Sequence, residues 1–269
     1  MYNNFYGFTE SPFNLTPDPR FLFFSERHRE AFNHLLFGVN ERKGFIQITG
    51  EVGAGKTTLC RAFLERLEGH FRTALILNPC MTSTQLLRTV ITELGLKAPR
   101  DRVSCLATLN TFLLEQVSDG SEVVLIIDEA QDLSPELLEQ VRLLSNLETD
   151  HRKLLQIVLI GQTELRDMLN TRRLRQLRQR ITVRYHLMPL SLEETDYYIR
   201  HRLRIAGDES PPAFSPWAVR SIYHYSRGVP RLINAVCDKA LLCGFVARSD
   251  QLTRKHVRRA IRDLEGQPS

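Results

Sequence analysis

The sequence predicts an α/β fold built on a parallel sheet, followed by a small all-helical domain. Three observations carry this expectation: a set of short apolar runs, helical periodicity between them, and the loss of strand-like runs beyond Pro189-Leu190. The runs are Phe45–Thr49, Thr73–Leu77, Val123–Asp128, Ile157–Gly161 and Ile181–Leu187. Those at 45, 123 and 157 are continuous rather than alternating, as strands covered on both faces of a parallel sheet should be; the other two are weaker. In Thr57–Leu67, Leu59, Phe63 and Leu67 recur every fourth residue, with Cys60 and Leu64 beside them, so this segment reads as a helix. Ser134-Pro135 suits an N-cap and first helical position, ahead of an apolar face formed by Leu137, Leu138, Val141, Leu144 and Leu147. Strands alternating with helices give a doubly wound layer structure. Four further helices are expected at Leu192–Ile205, Pro216–Ser226, Arg231–Val246 and Thr253–Leu264, with a loop at 207–212 and a turn at Gly228-Val229-Pro230. The expected division is residues 1–189, including an N-terminal extension, and residues 190–269.

Composition narrows the class. With 269 residues, 42% of them hydrophobic and 25% charged, the chain can bury a substantial core without a disulfide or metal staple. The net charge of +5 and a pI near 9.1 are compatible with a polyanionic partner without specifying one. The cysteines, Cys60, Cys80, Cys105, Cys237 and Cys243, form no CxxC and read as small buried hydrophobes in a reducing compartment. No apolar stretch reaches the ~18 residues of a membrane helix, and the aromatic, polar N-terminus lacks the plan of a signal peptide. A soluble, cytoplasmic chain is expected.

Gly50-Glu51-Val52-Gly53-Ala54-Gly55-Lys56-Thr57 matches GxxxxGK[ST] between an expected strand and an expected helix, with Thr58 next in the chain. That context turns the pattern into a phosphate site: glycines let successive N–H groups point inward, and the helix start adds partial positive charge. Lys56 is expected on the β- and γ-phosphates and Thr57 on Mg²⁺. About seventy residues later an apolar strand delivers Asp128 and Glu129, the first to hold Mg²⁺ through its water shell, the second to take a proton from attacking water. Together these indicate a nucleoside triphosphatase. Gln162 closes the next strand, where it can touch the γ-phosphate, orient the water, or simply cap a loop. Arg166, Arg172, Arg173, Arg175, Arg178, Arg180 and Arg184 crowd one stretch in which only Asp167 opposes them. They read as a solvated face, as phosphate-backbone contacts for nucleic acid, or as the source of an arginine completing a neighbouring subunit's site; Arg180 is then the first candidate and Arg178 the second. Arg231, at the start of a helix after Gly228-Val229-Pro230, can reach a γ-phosphate or remain a surface charge. The histidines show no metal spacing, and Trp217 with Tyr197-Tyr198 reads as packing within the helical domain.

With these features in order the chain resembles an AAA+ ATPase. More narrowly it resembles the general secretion pathway protein A family and related ATPases of type IV-like pilus biogenesis. The narrower likeness rests on FYGFTESPFNLTPDPRFLFFSERHREA, GFIQITGEVGAGKTTLCR, VVLIIDEAQDLSPELLEQVRLLSNLE, QIVLIGQTEL and LRQLRQRI. The resemblance implies a P-loop NTPase fold with a five-stranded sheet sandwiched by helices and the phosphate-loop strand central, a helical lid, Mg·ATP at their junction and assembly into a ring or other homo-oligomer. It makes Gln162 and Arg231 the two sensors and puts Phe21–His28 beside the adenine. It also implies a membrane-embedded secretion or pilus-assembly partner, which would make the chain peripheral at the inner membrane. Prototype members continue into a transmembrane helix and a periplasmic module, which residues 1–269 lack. Two other readings compete with a secretion or pilus ATPase: a DNA-associated AAA+ ATPase that selects transposition targets or loads a helicase, and a nucleotide-switched scaffold with slow turnover.

Overall fold

The structure is a computed structural model and describes every residue except 15–17, 70, 78, 150–151, 208–210 and 267–269. Half of the expected 207–212 loop therefore lies outside the described residues. The chain runs α1 (Tyr2–Tyr6), α2 (Glu26–Asn40), β1 (Phe45–Gly50), α3 (Lys56–Leu67), β2 (Phe71–Ile76), α4 (Ser83–Glu93), α5 (Arg102–Ser118), β3 (Glu122–Ile127) and α6 (Pro135–Leu144). It continues through β4 (Leu155–Gly161), α7 (Thr163–Leu169), α8 (Arg175–Arg180), β5 (Ile181–Leu187), α9 (Leu192–Ala206), β6 (Ala213–Phe214), α10 (Pro216–Ser226), α11 (Pro230–Val246), β7 (Gln251–Leu252) and α12 (Arg254–Leu264). Among the described residues no helix is long and apolar enough to cross a membrane.

Two compact units form. One comprises residues 29–50 and 59–187 and holds a parallel five-stranded sheet in the order β2-β3-β4-β1-β5. The phosphate-loop strand β1 is thus interior but not central, because β4 inserts between β1 and β3 and pairs with both. Side chains of β3 alternate between two buried faces. Val123, Leu125 and Ile127 enter a core with Leu86 and Val90 of α4, Leu109 and Leu113 of α5, and Leu138 and Val141 of α6. Val124 and Ile126 are equally buried on the other side. Against β1, α2 approaches so closely that a Cβ at Gly38 would lie 2.5 Å from Ile46 Cδ1, and Phe32 meets Phe63 of α3 edge to face at 6.2 Å.

The register fixes what stands at each edge of this sheet. Gly50 pairs with Leu187, Thr49 with Gly161 and Ile127 with Leu159, so β1, β3, β4 and β5 finish at one edge. Asp128, Glu129 and Gln162 leave from that edge. Arg180 precedes Ile181, which pairs with Phe45 at the opposite edge.

The other unit comprises residues 1–28, 51–58 and 188–269. Ser191 and Glu194 close a capping box at the start of α9, and Ser215 caps α10 ahead of Pro216. Helices α9 to α12 bury Ile199, Leu203, Ile222, Val236, Leu241 and Val257 around one core, which Phe8, Phe13 and Phe21 of the N-terminal segment join. Arg202 is buried there and fully employed. It donates to the carbonyls of Pro12 (2.5 Å) and Asn14 (3.1 Å) and to the Tyr198 hydroxyl (3.2 Å), with its guanidinium 4.5 Å from the Phe21 ring centre. Tyr2 donates to Asp238, and Tyr6 donates to the Ser249 carbonyl at 3.0 Å, tying α1 to α11 and its exit.

Three further expectations need correction. Strand pairing does not stop at residue 190: β6 and β7 make a two-residue parallel pair, too short to leave a run in the sequence. Trp217 is 61% exposed and Tyr197 also faces solvent, so only Tyr198 of that aromatic set packs inside. Cys80 is exposed, whereas the other four cysteines are buried.

Candidate active site

The glycine-rich segment belongs to the unit of residues 1–28, 51–58 and 188–269. Gly53 and Gly55 adopt φ of +78° and +98°, values at which a side chain is strained. At Gly53 space forbids one as well, since a Cβ would lie 2.5 Å from the Arg231 Cβ. The Arg231 N–H donates to the Gly53 carbonyl at 3.3 Å, so the first turn of α11 sits on the loop. Lys56 is buried and its ammonium donates to the Glu51 carbonyl at 3.0 Å, while Val52 is exposed at the tip. Lys56, Thr57 and Thr58 form the first turn of α3, whose leading N–H groups have no partner within the helix. The result is a glycine turn and a helix start beside a buried cation, features suited to a polyphosphate.

His28 is expected only as the last residue of the segment beside the adenine, with no contact of its own. It is buried, with Nε2 3.2 Å from the Ala54 carbonyl and Nδ1 2.8 Å from Ser25 Oγ. Burial holds its pKa below the usual 6.5, the nearby Ala54 carbonyl and Glu194 opposing only in part. The imidazole is therefore neutral, with Nε2–H donating to Ala54 and Ser25 O–H donating to Nδ1. Ser25 Oγ also accepts the His28 N–H at 3.3 Å, capping α2. The expected segment Phe21–His28 thus reaches the glycine-rich loop through its last residue.

The acidic pair belongs to the unit of residues 29–50 and 59–187. Asp128 is buried; its N–H donates to the Ile76 carbonyl at 2.8 Å, and its Oδ1 accepts the Glu129 N–H at 2.9 Å. Burial and the Asp128 charge push the Cys60 thiol up to about 12, so Cys60 remains a protonated, apolar wall beside that carboxylate. Glu129 has φ 50° and ψ 40°, a left-handed conformation rare for a residue with a side chain and strained by ~1–2 kcal/mol. This turn aims its carboxylate at two amides. Gln131 Nε2 donates to Glu129 Oε2 at 2.8 Å and Gln162 Nε2 donates to the same oxygen at 3.2 Å. Gln131 Oε1 in turn accepts the Gln162 N–H at 2.9 Å. Among the described residues Oε1 of Glu129 accepts no hydrogen bond, leaving lone pairs for a proton.

Gln162 therefore does more than start α7, and its side chain makes no cap bond to that helix. Gln131, which completes the triad, was not singled out from sequence. Its only signal is its place two residues beyond Glu129, where a side chain returns only if the backbone turns left-handed.

Among the described residues no hydrogen bond or ion pair joins an arginine of the 166–184 stretch to this triad. Arg180 donates to Ser145 Oγ and Asn146 Oδ1, both at 2.6 Å, at the end of α6. Arg178 donates to Asn170 Oδ1 at 3.3 Å, Arg173 pairs with Glu136, and Arg166 stands 3.7 Å from Asp167. Glu136 is thus a second acid opposing the stretch.

Residues 39–169 match the family of AAA domains. The chain is 45% identical to general secretion pathway protein A of Aeromonas hydrophila over 270 residues, covering 99% of this chain and 49% of that protein. It therefore spans about half the length of that relative. Among solved structures it is similar to the ORC2 protein of Aeropyrum pernix, with a TM-score of 0.69 and 17% identity over 96% of this chain and 72% of that one. Drosophila ORC bound to DNA gives a TM-score of 0.70 and 19% identity, covering 94% and 64% of the two chains. The Holliday junction branch migration motor RuvB of Thermotoga maritima gives 0.60 and 17%, covering 89% and 69%. At these identities the structural likenesses establish the fold.

Proposed function

We propose, from the premise that the chain belongs to the AAA+ ATPases of the general secretion pathway protein A type, that it binds Mg·ATP at residues 50–58 and hydrolyses it with Glu129 as general base. The observation that carries the reading is the Glu129 carboxylate, one oxygen held by two amides and the other open. Such a group can take a proton from water without swinging away from it. Gln162, sharing that oxygen, links the base to the γ-phosphate, and Arg231 brings a second cation from the lid. Backbone N–H groups and Lys56 offer donors for the triphosphate, with Glu51, Val52, Ala54 and Thr58 completing the loop. The Thr57 hydroxyl and Asp128 carboxylate are hard oxygen donors of the kind Mg²⁺ takes alongside substrate phosphates. Among the described residues no cluster of three His, Cys, Asp or Glu side chains could hold a metal, which fits a cation bound chiefly through substrate and water. When bound, Mg²⁺ offsets charge on the transferring phosphoryl group. Residues 1–189 then form the nucleotide-binding domain and 190–269 its lid.

The further reading is that hydrolysis drives assembly of an envelope secretion or type IV-like pilus system. The chain would act as a homo-oligomer beside a membrane-embedded partner, with Arg180, or else Arg178, completing the adjacent subunit's site. The 45% identity to general secretion pathway protein A, which runs along 99% of this chain and about half of that protein, supports it. The test of the chemistry is a pair of variants. Lys56→Ala should abolish ATP binding, and Glu129→Gln should bind ATP while turnover falls at least about a hundredfold. Unchanged phosphate release in both would reject the assignment.

A further inference from the structure

Helix α12 carries a charge pattern that the ATPase reading does not use. At 100° per residue, buried Val257 and Ala260 fall on one side with the partly buried Ile261 and Leu264, all within the lid core. Lys255, Arg259 and Arg262 lie on the opposite side, Arg258 and Arg254 continue the arc back toward its border, and all five are exposed. None enters an ion pair among the described residues. Asp263 and Glu265 lie only at the far end of the helix. Five like charges on one helix face repel one another, and a polyanionic surface would relieve that repulsion.

The neighbouring surface says which polyanion. On α11, Leu242 is 38% and Val246 65% exposed, one turn apart, and Phe245 meets Phe5 of α1 edge-on at 5.5 Å, with Phe5 itself 42% exposed. Helix α12 packs along α11, with Val257 and Ala260 in one core with Val236, Ala240 and Leu241, so the exposed sides of the two helices adjoin; Lys239 on α11 adds a cation there and Asp263 on α12 an acid. A nucleic-acid strand has phosphates for the cations but no use for exposed leucine and valine. An acidic bilayer offers both phosphates and hydrocarbon.

We propose that α12, the 242–246 turn of α11 and Phe5 form a docking face for a bilayer containing anionic phospholipid. The cations lie over the headgroups, and Leu242, Val246 and Phe5 enter the interfacial layer. The contact is made by the chain itself and does not depend on the nucleotide chemistry.

The experiment is co-sedimentation of the full chain with vesicles of phosphatidylcholine alone, or with part of it replaced by phosphatidylglycerol. Binding is expected only to the acidic vesicles and should weaken with added salt. Each neutralised cation should lower the partition coefficient about fivefold, so Arg258→Gln/Arg262→Gln should lose about 25-fold and Arg258→Glu/Arg262→Glu on the order of a hundredfold or more. Val246→Ser, which leaves the charge unchanged, should lose several-fold. ATP turnover without vesicles should match the parent chain in all three variants, which shows that they fold. Three results would overturn the proposal: no binding by the parent chain, binding undiminished in the Arg258→Glu/Arg262→Glu protein, or a duplex DNA that displaces the vesicles and binds the Val246→Ser protein equally well.

Discussion

Replacing Gln131 by alanine tests the proposed base most directly. Its amide bonds in both senses: Nε2–H donates to Glu129 Oε2 at 2.8 Å and, more weakly, to Asp132 Oδ1 at 3.4 Å, and Oε1 accepts the Gln162 N–H at 2.9 Å. Alanine leaves Glu129 with only the 3.2 Å bond from Gln162 and deprives the Gln162 N–H of its acceptor. Glu129 and Gln162 are both part-exposed, so water replaces some of what is lost, and global stability should fall by only about 1–2 kcal/mol. Turnover should suffer more, because a left-handed Glu129 relies on these bonds to hold its carboxylate. A base free to swing by ~1 Å loses about 10- to 100-fold, or about 1.4–2.7 kcal/mol of barrier. Phosphate release at saturating Mg·ATP measures this, alongside ATP affinity by equilibrium titration. The expected result is a fall in kcat with affinity within about threefold of the parent. Gln131→Glu keeps the acceptor for Gln162 but sets a carboxylate against Glu129, so it should be slower than the alanine variant and recover in part as pH falls and the pair shares a proton. A Gln131→Ala protein with full kcat would refute the reasoning, as would one whose affinity falls as far as its rate.

Other outcomes follow from the same geometry. His28 should make stability sensitive to acid: burial lowers its folded pKa, so below about 6.5 the unfolded chain binds more protons and stability falls until the folded value is passed. His28→Gln, which can keep the bond to Ala54, should flatten that slope in urea midpoints taken across pH; His201, lowered in the same direction, remains in both proteins, and an unchanged slope would exclude His28 as the source. Gly53→Ala should cost about 2 kcal/mol or more, because the added Cβ meets the Arg231 Cβ at 2.5 Å in a backbone conformation already strained for alanine; denaturant titration with wild-type stability would contradict this. Arg180→Ala should be slow alone yet regain turnover when mixed with equally slow Glu129→Gln, since each subunit then lends what the other lacks; a fast Arg180→Ala protein would remove it as the trans residue.

How much of this was legible in the sequence depended on how each residue is constrained. Strands β1, β3 and β4 are buried on both faces, and their apolar runs marked them to within two residues. Edge strand β2 shows exposed and half-buried positions through Phe71–Thr73, so only its later part read as a run. Lys56, Asp128 and Glu129 were identifiable because phosphate chemistry fixes both residue type and spacing. Gln131 and His28 were not, because each acts through a backbone path that no periodicity encodes: a left-handed residue at 129 and a helix cap at Ser25. The exposure of Trp217 was hidden for the opposite reason, since a large apolar residue near a helix start is ordinarily packed.

The unit that holds the glycine-rich loop is drawn from both ends of the chain, and this bears on how the protein is made. Tyr2 meets Asp238 across 236 positions, and Gly53 meets Arg231. During synthesis the early strands can pair while the later helices are still inside the ribosome, but the loop gains its α11 neighbour only after residue 231 has emerged. Nascent chains should accordingly acquire resistance to proteolysis in two stages, the loop joining the second.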